Sequence, residues 1–221
     1  MKALYDLTPF TLLDFPDIPA AIFWFAGCNL RCVYCYNPDI VLGSARIDEA
    51  DALSFLTKRA GLLEGVVLSG GEATLYPNLL SFCRSIKALG YKIKLDTNGM
   101  RPDIISSFLE KGLLDYVALD YKAPSSEMLR ICGGGSELRF WESFHLIKKS
   151  SVNFEVRTTF HPELLTEDQI ITMANKLKSE GYKRPFYVQL FRNDVQTLGN
   201  IPHSKHVIDY SLLEHFVILR N

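Results

Sequence analysis

Short apolar runs alternate along the chain with stretches in which apolar residues return every three or four positions. The runs fall at 20–25, 65–69, 92–96, 116–120, 153–159 and 187–191. Most are nearly continuous rather than strictly alternating, the pattern of strands covered on both faces in a parallel sheet. Helices are predicted between them at 48–60, 77–89, 102–111, 137–149 and 166–180. Pro77 and Pro102 suit first-turn positions, and Gly61, Gly90, Gly112 and Gly181 stand where helices end. Thr166 followed three residues later by Gln169 predicts a capping box.

Six such units make an α/β protein. Complete eight-fold barrels usually need ~250 residues, and this chain has 221. The expected fold is therefore a partial (β/α)6 TIM-like barrel with a parallel sheet, formed as a single domain over 1–221. An open doubly wound sheet is the alternative. Both architectures bind ligands at the carboxyl ends of the strands. Residues with reactive or polar side chains do collect just after each run: Gly27-Cys28, Gly70-Gly71-Glu72, Asp96-Thr97-Asn98-Gly99, Asp120-Tyr121-Lys122, Arg157 with Thr159, and Gln189.

Composition narrows the class. Hydrophobic residues are 48% and charged residues 22%, with 24 basic against 25 acidic side chains. Disorder, collagen and coiled coil are excluded, and the balance implies no nucleic-acid or anionic-membrane partner. No apolar run reaches the ~18–20 residues of a membrane span, and the first residues lack a signal-peptide pattern, so a cytoplasmic location is expected. The five cysteines are then read as thiols, for metal or redox chemistry rather than disulfides.

Three of them form C-x3-C-x2-C: Cys28, Cys32 and Cys35. In a helical turn or a tight loop, this spacing lets three sulfurs face one centre. Chance placement would give roughly 0.003 such triplets in a chain of this composition. Zinc and iron–sulfur are both compatible with thiolates. A structural zinc wants four protein ligands, and no fourth Cys or His lies in the local segment. A 4Fe–4S cluster also usually takes four; three suggest a cluster with one iron left open to a non-protein ligand.

The fingerprint, with the aromatic Tyr34 just before the last cysteine, resembles that of the radical S-adenosylmethionine (SAM) superfamily. The resemblance implies a 4Fe–4S cluster on Cys28, Cys32 and Cys35, with SAM on the open iron. It also implies reductive cleavage of SAM to a 5′-deoxyadenosyl radical. Gly70-Gly71-Glu72 matches the superfamily's GGE motif, expected at the SAM ammonium. The segment from Leu13-Asp14-Phe15-Pro16 to Tyr36-Asn37-Pro38 is similar to the glycyl-radical-enzyme activating branch. Within that branch it is most similar to anaerobic ribonucleoside-triphosphate reductase activating proteins.

By that likeness Asp96, Thr97 and Asp120 would offer oxygens to a monovalent cation beside the SAM carboxylate, and Lys122 would pair with that carboxylate. Asn98, within the same Asp-Thr-Asn-Gly motif, would share the cofactor wall. Asp14 would lie near the substrate glycine. Arg157 would meet either the SAM carboxylate or a structural carboxylate, and Gln189 the nucleoside. The implied partners are a glycyl radical enzyme, such as an anaerobic ribonucleotide reductase, and a low-potential electron donor such as flavodoxin or ferredoxin.

Departures from the branch pattern are Asp17 for Gly, Tyr36 for His and Ala73 for Pro. They bear on substrate choice more than on the chemistry. Two alternatives therefore accompany the activase: a small-molecule radical SAM enzyme resembling 7-carboxy-7-deazaguanine synthase, and a non-catalytic zinc-binding regulator. Cys83 reads as a core thiol and Cys132 as incidental, and 193–221 carries little information.

Overall fold

The computed structural model describes residues 2–220. Its strands are β1 (Lys2–Thr11), β2 (Ala20–Phe25), β3 (Ile47–Asp48), β4 (Gly65–Gly70), β5 (Lys92–Thr97), β6 (Tyr116–Asp120), β7 (Asn153–Phe160), β8 (Phe186–Leu190) and β9 (Ile218–Arg220). They pair into one sheet in the order β3-β1-β2-β4-β5-β6-β7-β8-β9. From β2 through β4 to β9 every neighbouring pair is parallel, whereas β1 runs antiparallel to both β2 and β3.

The strand order decides between the two expected architectures. A doubly wound sheet reverses direction at a switch point. Here each parallel strand is added beside the one before it, so right-handed crossovers carry every connecting helix to the same face. That is the barrel arrangement, left open because β3 and β9 are the two ends of the sheet and, among the described residues, do not pair. All six expected strands are present, within one residue at each end.

The helices are α1 (Pro38–Leu42), α2 (Glu49–Lys58), α3 (Leu79–Ala88), α4 (Pro102–Glu110), α5 (Met128–Cys132), α6 (Glu137–Lys149), α7 (Glu167–Ser179) and α8 (Tyr210–Leu213). Thr166 and Gln169 form the expected reciprocal capping box on α7, and Ser136 caps α6 by accepting from the Arg139 N–H. Pro77 is not in the first turn of α3, which begins two residues later.

Apolar burial is concentrated on the outer face of the sheet. Phe23, Leu68, Ile93, Leu95, Val117 and Val156 pack there with Phe82, Ile105, Phe108, Phe140 and Phe144 from the helices. Burying such a side chain contributes roughly 1.5–3 kcal/mol, so this layer supplies most of the drive to fold. A second, smaller cluster sits on the inner face: Phe15, Ala20, Ile22 and Val67, with Ile18, Trp24 and Tyr116 against it. Phe15 comes from the loop between β1 and β2 and closes the floor of the barrel. A Cβ on Gly65 would lie 2.8 Å from its ring, so this strand start has room only for glycine.

Candidate functional site

At the carboxyl ends of β2 and β4–β8 the sheet opens into a cavity of about 350 Å³, within the range of small-molecule sites. Cys28, Cys32, Tyr34 and Cys35 form one wall, and Gly70, Gly71, Glu72, Asp96, Thr97, Asn98, Asp120, Lys122, Arg157 and Gln189 contribute the rest. Residues up to 161 positions apart in sequence thus share one mouth, as the strand-end rule requires.

The loop carrying the cysteines is held by backbone from three directions. Gly27 N–H donates to Ile40 O at 2.9 Å; Arg31 and Val33 N–H donate to Cys132 and Ile131 O at 2.8 and 2.9 Å. Leu198 and Gly199 N–H donate to Cys35 and Val33 O at 2.9 and 2.8 Å. Leu198 and Gly199, in a stretch uninformative in sequence, therefore clamp the cysteine loop. The Gly70-Gly71 pair permits the closest approach: Gly71 N–H donates to Phe25 O and Glu72 N–H to Gly27 O, both at 2.9 Å. A Cβ on Gly71 would fall 1.8 Å from the Gly27 oxygen, and Gly70 holds φ of +113°. Any side chain here would push the cysteine loop off the strand end.

All five cysteines are free thiols. Cys28 Sγ accepts from the Leu30 N–H at 3.4 Å and lies 3.9 Å from Asn98 Nδ2. Burial pushes its thiol up to about 11 against that donor, and burial likewise raises Cys35. Cys132, at the end of α5, is a fourth, buried thiol beside the loop. Its closeness to Cys32, then burial, raises the Cys32 thiol. The sequence carries no sign of this neighbour, because the approach arises from α5 folding back onto the loop. Cys83 is a fully buried core thiol, as expected.

Among the described residues, no three His, Cys, Asp or Glu side chains close on one point as a single-ion site demands. The three cysteines instead face an open cavity with backbone and amide donors around a sulfur, which fits a cluster with room for a further ligand. Metal binding would require all three to lose protons that burial makes harder to lose.

Glu72 is almost fully buried, and both of its oxygens are engaged. Oε1 accepts from Thr74 N–H at 3.2 Å, Thr74 Oγ1 at 2.6 Å and Thr97 Oγ1 at 2.8 Å, and Oε2 from Asn98 N–H at 2.8 Å. Burial still keeps its carboxyl above the ordinary value. The carboxylate therefore ties the rims of β4 and β5 together as well as lining the cavity.

Below the mouth the barrel interior is charged. Arg157 donates from Nε to Asp120 Oδ1 at 2.6 Å, and its NH2 lies 3.1 Å from Asp96 Oδ2. These are the structural carboxylates expected as one of its two partners. Lys122 Nζ donates to Asp120 Oδ2 at 2.9 Å. Lys94, on the inner face of β5 and 2% exposed, donates to Asp96 Oδ1. Ser69 Oγ donates to Asp96 Oδ2 at 3.0 Å. Burial alone would raise the Asp96 carboxyl, but Arg157 and Lys94 hold it down to about 2. Arg157 and Lys122 likewise lower Asp120 against its burial, and Asp120 raises the Lys122 ammonium. Glu155, paired with Arg220 at 3.0 Å, extends the network downward.

Two expectations meet a different arrangement. Asp14 does not reach this cavity. The register opposes Thr11 to Ala20, which puts the following loop at the far end of β2, roughly 17 Å of strand from the cysteines. Phe15 fills the barrel floor there, and the Asp14 carboxylate accepts from Thr11 Oγ1 at 2.5 Å. The oxygens assigned to a monovalent cation are also engaged: all four on Asp96 and Asp120 face cationic donors, and Thr97 Oγ1 accepts from the Gly99 N–H at 3.2 Å. This donor set does not fit a bound cation. Lys94 was missed because a lysine inside a strand-like run gives no hint of which face it takes.

The Radical SAM superfamily matches this chain over residues 22–177. A candidate glycyl-radical enzyme activating enzyme of Methanocaldococcus jannaschii is 32% identical over 189 residues, 80% of this chain and 77% of its own. The pyruvate formate-lyase-activating enzyme of Clostridium pasteurianum is 27% identical over 96% of this chain and 90% of its own length. Among solved structures, Streptococcus suis SuiB bound to precursor peptide SuiA superposes with a TM-score of 0.69 at 14% identity. It covers 90% of this chain, which spans 48% of that one. Native anSMEcpe with bound AdoMet superposes with a TM-score of 0.62 at 19% identity, over 81% of this chain and 53% of its own. The chain thus spans about half the length of these solved structures, whose likeness at such identities concerns the fold. Among the described residues no helix is long and apolar enough to cross a membrane.

Proposed function

The chain belongs to the radical SAM superfamily, and on that premise we propose that it is a glycyl radical activase acting on a partner enzyme. When bound, a 4Fe–4S cluster and SAM supply reductive cleavage to methionine and a 5′-deoxyadenosyl radical that takes a hydrogen atom from the partner's glycine. The observation that carries the reading is the cavity itself. Cys28, Cys32 and Cys35 share it with the Gly70-Gly71-Glu72 turn and the ends of β5 and β6.

In this reading the three cysteines would hold the cluster, and the hydrogen bonds of the loop around them fix where their side chains stand. Tyr34, Gly70, Gly71, Glu72, Thr97, Asn98 and Gln189 line the space for SAM. Lys122 keeps 22% of its side chain exposed after pairing with Asp120. Its remaining N–H donors suit the SAM carboxylate, a compact charge for an anionic oxygen. Asp96, Asp120 and Arg157 keep that floor rigid. Asp14, remote from the cavity, has no catalytic part in it, and no monovalent cation enters.

Support for a protein substrate comes from relatives described as activating enzymes for glycyl radical enzymes and for pyruvate formate-lyase. The partner class is a glycyl radical enzyme; the stretch from Leu13-Asp14-Phe15-Pro16 to Tyr36-Asn37-Pro38 favours an anaerobic ribonucleotide reductase. Flavodoxin or ferredoxin is the electron donor class, and the whole chain acts as one domain in the cytoplasm. The test is electron paramagnetic resonance of the anoxically reduced, SAM-loaded protein mixed with candidate glycyl radical enzymes. A persistent glycyl doublet is expected with one of them. Formation of 5′-deoxyadenosine with no doublet in any partner would favour a small-molecule substrate instead.

A further inference from the structure

We propose that Lys94 is a built-in cation. Its ammonium neutralises the strand-end carboxylates in place of a sodium or potassium ion, so that SAM binding does not depend on which monovalent salt is present. The proposal rests on the reading of the cavity as a SAM site.

Lys94 and Asp96 are two residues apart on β5 and so share the inner face. At 2% exposure the Lys94 side chain is out of water, where an ammonium persists only with a counter-charge. It has one: Nζ donates to Asp96 Oδ1. The remaining carboxylate oxygens are equally spoken for. Asp96 Oδ2 meets Ser69 Oγ at 3.0 Å and Arg157 NH2 at 3.1 Å, Asp120 Oδ1 meets Arg157 Nε at 2.6 Å, and Asp120 Oδ2 meets Lys122 Nζ at 2.9 Å.

A hard monovalent ion needs several oxygens with free lone pairs converging on one point. It would also add an unpaired positive charge where Lys94, Arg157 and Lys122 already balance Asp96, Asp120 and Glu155. In a low-dielectric interior that addition is costly. Lys122 lines the mouth, where its remaining N–H donors are left for the SAM carboxylate. Lys94 is thus a positioning residue: it acts on SAM through Asp96, which lines the cavity.

The experiment is calorimetric titration of SAM into the reconstituted, unreduced protein at constant ionic strength in sodium, potassium or tetramethylammonium chloride. A cation coupled to SAM would change its affinity by about 5–150-fold between small and bulky cations. The wild type is expected to vary by less than about twofold. A wild-type response of about fivefold or more overturns the proposal and leaves the SAM reading standing. Failure to bind SAM in any salt overturns that reading and the proposal with it.

Lys94→Met frees an Asp96 oxygen and removes the charge, so its SAM affinity becomes sensitive to sodium or potassium; Lys94→Arg keeps the charge and stays insensitive. A folded Lys94→Met protein as indifferent to salt as the wild type overturns the role given to Lys94. Should that variant not fold, Lys94→Gln, which removes the charge and keeps a polar side chain, takes its place with the same two outcomes.

Discussion

On β5 two neighbouring side chains are almost equally dry and held by opposite means. Leu95 points outward from β5 and is 0% exposed; Lys94, its neighbour, points inward and is 2% exposed. Leu95 is stable where it is because water was removed from it, and it needs no particular partner. Lys94 is stable only because Asp96 meets it, and Asp96 is held in turn by Arg157, which also holds Asp120. The outer layer can lose one member and keep its character. The inner layer works as a set, since each charge removed strands another in a medium that cannot solvate it.

The sharpest way to break this contrast is Arg157→Met. It leaves Asp96 and Asp120 each short of a cationic partner, and unfolding in urea should show a loss of about 3–5 kcal/mol. A near-wild-type midpoint would mean that the carboxylates do not depend on their partners. On the other face, Leu95→Ala opens a cavity and should cost about 2–5 kcal/mol. Iron bound per folded chain should stay the same, because no charge in the cavity has been touched.

Acid titration separates the faces without mutation. Asp96 is held at about 2 in the folded chain, against roughly 3.9 when unfolded. A depressed carboxyl contributes stability that is complete above its unfolded value and is lost as pH falls through the folded one. Stability should therefore be level from neutral to about pH 5 and decline by about 2–3 kcal/mol on this group's account toward pH 2. In Arg157→Met that decline should shrink; an unchanged acid limb would assign it elsewhere. The smallest effect belongs to a surface cap: Thr166→Ala removes the reciprocal bonds at the start of α7 and should lower stability by about 1 kcal/mol. A drop several times larger would show that α7 carries more of the fold than its packing implies.

Much of the outer layer was legible because it follows periodicity. The runs at 20–25 and 116–120 match β2 and β6 residue for residue, and 137–149 matches α6. Continuous apolar runs say that a strand is covered on both sides without saying by what, which is why Lys94 and Glu155 passed unnoticed. β1 escaped because Pro9 and mixed polar positions blur its alternation near the sheet edge. The site was legible where glycine, cysteine and acidic residues crowd the strand ends. Asp14 misled because a motif fixes sequence distance, whereas the register of β1 on β2 decides which end of the barrel the loop reaches.

The most direct measurement is Mössbauer spectroscopy of the anoxically reconstituted protein before and after addition of SAM. Three cysteine ligands and a vacant corner predict about four irons per chain, one of which changes its signal when SAM is added while the others do not. A spectrum indifferent to SAM, or a colourless protein holding zinc in place of iron, would contradict the assignment of Cys28, Cys32 and Cys35.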